Sequence, residues 1–209
     1  MKKIWTKNYP NGVIEDVDLM QYSSFVDLFE ESFKKYSDDI AFENMGKSIT
    51  YKELDNLSKN FSNYLTHELK LKKGDRLAIQ SPNVLQYPVA LFGALRSGIV
   101  VVNTNPLYTP DEMRHQFKDS GCKAILILSN FAHNLQKVIQ DTEIKHVIIS
   151  APDSMLESDF EKKLLIARVQ TEKILSDDSI LITATAVRIP VMGGHSESVN
   201  VEFSNPFDN

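Results

Sequence analysis

The 209-residue chain holds a single cysteine, Cys122. That excludes an internal disulfide framework or a cysteine-rich zinc site and fits a reducing compartment. Positive charge is also short, with 23 Lys and Arg against 28 Asp and Glu for a formal net charge of −5. No overall basic field exists to hold a nucleic-acid backbone, so nucleic acid is not an expected partner. Long apolar runs are missing. The longest stretch without a charged side chain, Leu77 to Leu95, is interrupted by Gln80, Ser81, Pro82, Asn83, Gln86 and Pro88, and no transmembrane segment is expected. The start, Met1 to Lys7, is basic but leads into Asn8-Tyr9-Pro10-Asn11-Gly12 rather than an apolar core. It does not read as a signal peptide, and the expected location is cytoplasmic. Glycine is nowhere clustered ahead of a helix, so no phosphate-binding loop is expected within residues 1–150. The isolated Gly93 and Gly98 read as helix packing and helix capping.

What remains is ordinary for a globular chain, with 42% hydrophobic and 24% charged residues. Ser23 or Ser24 can cap a helix whose apolar positions Phe25, Leu28, Phe29 and Phe33 fall at helical spacing, with Asp27, Glu30 and Glu31 toward the positive end of its dipole. Ile40-Ala41-Phe42 and Ser48-Ile49 flank Asn44-Met45-Gly46-Lys47 and predict a hairpin with Gly46 at positive φ. Thr50 and Glu53 have capping-box spacing, and Leu54, Leu57, Phe61 and Leu65 carry a helix to about His67.

From Arg76 onward, short apolar runs alternate with amphipathic segments: Leu77–Ile79, Ile99–Val102, Ala124–Leu128 and His146–Ile149. Their starts lie 22, 25 and 22 residues apart, room for a strand, a helix and two loops each. The fold class expected is therefore α/β, a mainly parallel sheet flanked by helices, with side-by-side strands, right-handed crossovers and both faces covered. Thr109-Pro110-Asp111-Glu112 predicts a capped helix, and Gly98 and Gly121 predict helix ends. The pattern breaks after Ser150. Beyond the break, 164–175 is helix-compatible, 179–187 is β-like and 198–203 alternates as a strand does.

Few residues offer chemistry. Cys122 precedes an apolar strand without a histidine partner and reads as a buried structural thiol. His115 and His133 are too scattered for a metal site and read as surface residues. Asn103 to Thr109 follows a strand at the sheet edge where open α/β folds place ligands, and both ligand contact and a self-bonded Asn/Pro turn stay open for it. Arg188 and His195 could bind a carboxylate and act as acid or base, but on spacing alone a loop with incidental charges is the favoured reading.

Residues 24 to about 150 resemble the amino-terminal part of AMP-forming acyl-CoA synthetases, especially long-chain fatty-acid–CoA ligases. The resemblance is carried by Phe42–Leu54, Gly74–Asn83 and above all Val101–Tyr108 with Thr109-Pro110 and Asp119-Ser120-Gly121. It implies an enzyme that uses ATP and magnesium to activate a fatty acid as its acyl-adenylate and then transfers the acyl group to coenzyme A. In that family the Ser/Thr/Gly-rich phosphate loop, the Tyr-Gly-x-Thr-Glu segment, the ribose-binding Asp and the catalytic Lys lie further downstream. None has a counterpart here, so the chain is expected to bind no cofactor or metal and to be inert alone. Peripheral membrane contact is implied only for the full-length enzyme.

Residues 171–203 resemble a segment of aspartate-semialdehyde dehydrogenase, which would make Arg188 and His195 remnants of its substrate-binding and acid/base residues. That family's nucleophilic Cys and Gly-rich loop are absent, and Ala186 stands where many members have Cys. The expected organisation is thus an amino-terminal ligase-like subdomain over 1–150, a junction over 151–170 and a dehydrogenase-like tail over 171–209, joined by gene fusion, truncation or frameshift. An open sheet edge left by such an origin could pair with another chain.

Overall fold

A computed structural model describes residues 4–156 apart from 15, 17 and 19. The expected elements at 164–175, 179–187 and 198–203, together with Arg188 and His195, lie outside the described residues.

The first helix, α1, spans Phe25–Lys35 and starts where Ser24 accepts the Asp27 amide hydrogen bond. Ser24, rather than Ser23, is thus the cap, and the Ser23 hydroxyl instead donates to the Asp27 carboxylate. Strands β1 (Ile40–Asn44) and β2 (Lys47–Thr50) pair antiparallel, closing through Met45 and Gly46, both at positive φ (50° and 77°). Positive φ at both central residues is the turn geometry that matches strand twist, and glycine supplies it without a Cβ clash. Thr50 and Glu53 form the reciprocal capping box that opens α2 (Tyr51–Asn63), which runs on through a wider π turn at Tyr64–Glu68.

The main sheet consists of β3 (Arg76–Gln80), β4 (Val100–Asn103), β5 (Ala124–Leu128) and β6 (His146–Ser150). Every pairing is parallel, as the recurring apolar runs predict. The spatial order is β4-β3-β5-β6, so β4 and β5 are consecutive in the chain but stand on opposite sides of β3. The connecting helices explain the arrangement. Helix α3 (Gln86–Arg96) carries the chain from β3 to β4 and packs with α1 and α2 on one face, against Leu77, Ile79, Ala124 and Leu126. Helices α4 (Pro110–Ser120) and α5 (Ala132–Gln136) lie on the other face, where Met113, Phe117 and Leu135 meet Ala78, Ile125, Ile127 and Val147. Reversing direction across the sheet while changing face keeps the crossovers of one hand, which the twist of parallel strands requires.

Burial on both faces accounts for the unbroken apolar runs of β3, β5 and β6. Strand β4 departs from that expectation. Among the described residues it pairs with β3 alone, and Val100 is 48% exposed. An edge position, not a covered one, explains its half-buried pattern. Helix α4 begins with Thr109 and Glu112 in a capping box and Pro110 in the first turn, and it ends at Gly121 in the left-handed region. Past β6, Met155 is buried in the first core cluster, so the packed unit continues a few residues beyond Ser150.

Candidate functional site

In an open α/β sheet, ligands settle outside the carboxyl ends of the strands where the strand order reverses. Here the reversal falls between β3 and β5, since the chain leaves β3 toward β4 and returns past it to β5. The carboxyl rim is built from the residues that end each strand: Gln80 and Ser81, Asn103 to Asn105, Ser129 and Asn130, and Ser150.

Each of these segments is tied down by amides and hydroxyls. The Gln80 side chain is fully buried, and its Nε2 donates to the carbonyls of Asn105 (3.2 Å) and Pro106 (3.5 Å). Its Oε1 has no partner among the described residues. The Thr104 amide donates to the Ile79 carbonyl at 3.0 Å, and Tyr87 donates its hydroxyl hydrogen to Asn103 Oδ1 at 3.0 Å. Gln116 Nε2 reaches the Asn103 carbonyl at 3.0 Å, and Asn105 Oδ1 accepts from the Leu107 amide at 2.9 Å. The Asn103–Thr109 segment is therefore a self-bonded turn anchored to β3, α3 and α4, which is one of the two readings its composition leaves open. Leu107 is thrust into solvent at its apex.

On the far side of the rim, Gln86 in the first turn of α3 donates through Nε2 to the Ala151 carbonyl (2.8 Å), the Pro152 carbonyl (3.3 Å) and Ser154 Oγ (3.0 Å). Ser150 and Ser154 share a further hydrogen bond of 3.1 Å. Gln80 and Gln86 go unrecognised in the sequence as structural residues. The signal was present, since a glutamine that interrupts an otherwise apolar strand or helix is placed to satisfy buried carbonyls.

Chemically the rim offers hydrogen bonds and little else. Apart from the exposed Asp153, its side chains are neutral, and among the described residues no group of His, Cys, Asp or Glu could hold a metal ion. Cys122 is buried beside Ser120 Oγ at 3.1 Å, and burial pushes its thiol pKa upward, away from the reactive thiolate. His115 and His133 are both exposed and sit on separate helices, α4 and α5. His146, at the opposite, amino edge of the sheet, is half-buried, and that burial, aided by Lys145, lowers its pKa. Asp75, also at the amino edge, is held below its usual value by the Lys72 amide and by Lys123, whose Nζ lies 3.4 Å away.

The densest charge lies elsewhere again. An open cavity of about 940 Å³ between α1 and α2 is lined by Glu30, Glu31, Asp38 and Asp55 as well as Lys34, Lys52 and Lys59. Carboxylates and ammonium groups in such balance favour no one sign of ligand.

The chain matches the AMP-binding enzyme family over residues 29–185. It is 51% identical over 158 residues to a long-chain-fatty-acid–CoA ligase of Escherichia coli, covering 76% of this chain and 28% of that protein. A long-chain-fatty-acid–CoA ligase of Haemophilus influenzae is 45% identical over 166 residues, covering 79% of this chain and 29% of the relative. The fold matches a benzoate CoA ligase of Burkholderia xenovorans with a TM-score of 0.59 at 23% identity, over 68% of this chain and 28% of that one. It also matches a long-chain-fatty-acid-CoA ligase of Archaeoglobus fulgidus with a TM-score of 0.55 at 20% identity, over 60% and 27% of the two chains. The chain thus spans less than a third of the length of these curated relatives.

None of these similarities supports the aspartate-semialdehyde dehydrogenase resemblance of residues 171–203, and the family match itself extends to residue 185. With most of its length matched by the family and 51% identity over the 158 residues aligned to a curated relative, the chain belongs to the AMP-binding enzyme family.

Proposed function

We propose that the chain is the amino-terminal scaffold of a long-chain fatty-acid–CoA ligase and performs none of that enzyme's chemistry alone. The parent would use ATP and magnesium to form an acyl-adenylate and would pass the acyl group to coenzyme A. It would work in the cytoplasm, with peripheral contact to membrane. The identity to long-chain-fatty-acid–CoA ligases supports the substrate class. The observation that carries the inertness is the neutral carboxyl rim. Adenylation develops charge on phosphate and needs preorganised cationic donors and a metal, whereas the strand ends here present side-chain amides already engaged with backbone carbonyls and a backbone N–H. Incubating the purified chain with ATP, magnesium, palmitate and coenzyme A is expected to release pyrophosphate at the rate of a protein-free control. Release well above that control would overturn the reading.

A second reading, as an assembly module, rests on β4, whose outer edge is unpaired among the described residues and exposes Val100. A short uncharged edge strand can template pairing with another chain. Light scattering across a concentration series tests it, with Val100→Lys expected to suppress any growth in size.

A further inference from the structure

Of all the asparagines in the sequence, only Asn11 is followed by glycine. The Val13 amide donates to the Pro10 carbonyl at 3.2 Å, so Asn11 and Gly12 are the two central residues of a turn. Gly12 stands at φ 90°, the backbone that the third position of a type II turn demands and that glycine supplies without strain. Both residues are exposed, and a Cβ built on Gly12 meets nothing within 4 Å. Among the described residues no hydrogen bond occupies the Asn11 carboxamide or the Gly12 amide. Asn44, Asn103 and Asn105 differ on both counts. Asn44 donates from Nδ2 to the Asn83 carbonyl and precedes Met45, Asn103 Oδ1 accepts from the Tyr87 hydroxyl and precedes Thr104, and Asn105 Oδ1 accepts from the Leu107 amide and precedes a proline. Asn56, Asn60 and Asn63 lie within α2, where helical bonds hold the amide that follows.

An exposed carboxamide beside an unhindered, unbonded amide favours one reaction. The Gly12 nitrogen gives its proton to hydroxide and attacks Asn11 Cγ. A C–N bond forms, the carboxamide nitrogen takes a proton from water and leaves as ammonia, and a five-membered succinimide results. Water then opens the ring at either carbonyl and leaves aspartate or isoaspartate at position 11. Water is the only co-reactant. A side chain on the following residue would crowd the attacking nitrogen, and glycine has none. A surface turn closed by one backbone bond lets the chain reach the geometry that ring closure needs.

We propose that Asn11 is a site of spontaneous, succinimide-mediated deamidation. The turn gains a carboxylate and, in the isoaspartyl product, an additional main-chain methylene. The new carboxylate lies close in sequence to Glu15, Asp16 and Asp18 and deepens a net charge that is already −5. The methylene lengthens the turn, and the bond from the Val13 amide to the Pro10 carbonyl is lost. None of this depends on the ligase reading, since the reaction uses neither ATP nor any other part of such an enzyme.

The test incubates the full chain at mildly alkaline pH, takes samples over days and digests them with trypsin, which releases Asn8 to Lys34 as one peptide. Against an unincubated sample, that peptide should gain about one mass unit, located by fragmentation to residue 11. It should also split chromatographically into two products, of which an isoaspartyl methyltransferase with S-adenosylmethionine labels one. Because the Gly12 amide must lose its proton, the rate should rise about ten-fold per pH unit. Gly12→Ala crowds the nitrogen and should slow the gain about ten-fold. Asn11→Gln would have to close a six-membered ring and should show almost no gain. Both positions are exposed, and circular dichroism establishes that each variant folds. The proposal is overturned if residue 11 gains no mass, if Asn44 or Asn83 gains it as fast, or if the product is aspartate alone, which direct hydrolysis of the carboxamide would give. It is equally overturned if the chain unfolded in urea reacts more than about ten-fold faster than the folded chain, which would mean that the fold protects the turn.

Discussion

Arg96, in the last turn of α3, places its guanidinium NH2 2.5 Å from Asp55 Oδ1 on α2 while its own side chain is only 6% exposed. The same group bonds the Glu30 carboxylate on α1, donates from Nε to Ser58 Oγ at 3.1 Å, and lies over the rings of Phe29 and Phe33, 5.1 and 5.8 Å from their centroids. One planar cation thus ties three helices together above the sheet, using the forked geometry that lysine lacks. Truncating it to alanine strips a partly buried carboxylate of its partner and removes aromatic packing. Arg96→Ala should therefore cost about 2–4 kcal/mol. Glu30 is half exposed, so Glu30→Gln should cost under about 1 kcal/mol. Urea unfolding of both variants checks the ordering, and near-equal losses would show that the pairing with Asp55 and the rings is not what holds the corner.

Gly93 on α3 faces α2 so closely that an added Cβ would lie 2.8 Å from Phe61 Cδ1 and 2.9 Å from the Ser58 carbonyl oxygen. Alanine would gain about 1 kcal/mol of helix propensity. The collision is with backbone as well as a ring, and overpacking of this kind costs about 1–3 kcal/mol. Gly93→Ala is expected to lower stability by about 1–2 kcal/mol. Gly46→Ala meets open space but must hold φ at 77°, which costs about 1 kcal/mol for a different reason. Thermal unfolding of the two variants measures both, and a more stable Gly93→Ala would mean that α2 and α3 can separate freely.

The parallel sheet, the hairpin and both capping boxes were legible in the sequence because each depends on local pattern. Continuous apolar runs mark covered strands, Gly46 marks the tight turn, and Thr with Glu three residues on marks a helix start. The strand order was not legible, because the spacing from Ile99 to Ala124 is the same whether the chain advances or doubles back across β3. Nor was the network at the carboxyl rim or around Arg96. Gln80, Gln86 and Arg96 find partners 25 to 68 residues away; an amide among apolar neighbours marks the two glutamines as buried donors, but nothing nearby names the groups that they meet. The Asn103–Thr109 turn shows the limit most plainly, since its composition fits a ligand loop and a self-bonded turn alike.

Acid should destabilise the fold in two separable stages. Burial lowers the His146 pKa below its ordinary 6.5, so between the folded value and 6.5 the unfolded chain binds the proton more readily. The stability from keeping His146 neutral is full above pH 6.5 and is lost as pH falls through that window. The Glu112 carboxyl, held below 4.5 by the Thr109 amide and hydroxyl, follows the same direction lower down. Its contribution is present above 4.5 and disappears as pH falls through the depressed value. Asp75 behaves likewise below 3.8. Melting temperatures recorded from pH 8 to pH 3 should show His146→Gln flattening only the upper stage and Glu112→Gln only the lower. A wild-type curve level from pH 7.5 to 5.5 would contradict the role assigned to His146.

Gln86 offers the sharpest test of how the chain leaves the sheet. Its Nε2 donates to two carbonyls and a hydroxyl of the turn after β6, and its neighbour in that network, Ser154, is itself buried. Gln86→Ala takes the amide donor from the Pro152 carbonyl and leaves the Ala151 carbonyl to the Ser154 hydroxyl and amide alone, at a cost of about 1–3 kcal/mol. Gln86→Glu goes further, because an ionised carboxylate has no hydrogen to give and would face the Ala151 and Pro152 carbonyls at close range. Hydrogen exchange should therefore quicken at residues 151–156 in both variants and more so in Gln86→Glu, with the interior amides of β3 and β5 losing less protection. Exchange that rises equally throughout the sheet would make Gln86 a part of the global core rather than the clamp that sets the direction of the chain past Ser150.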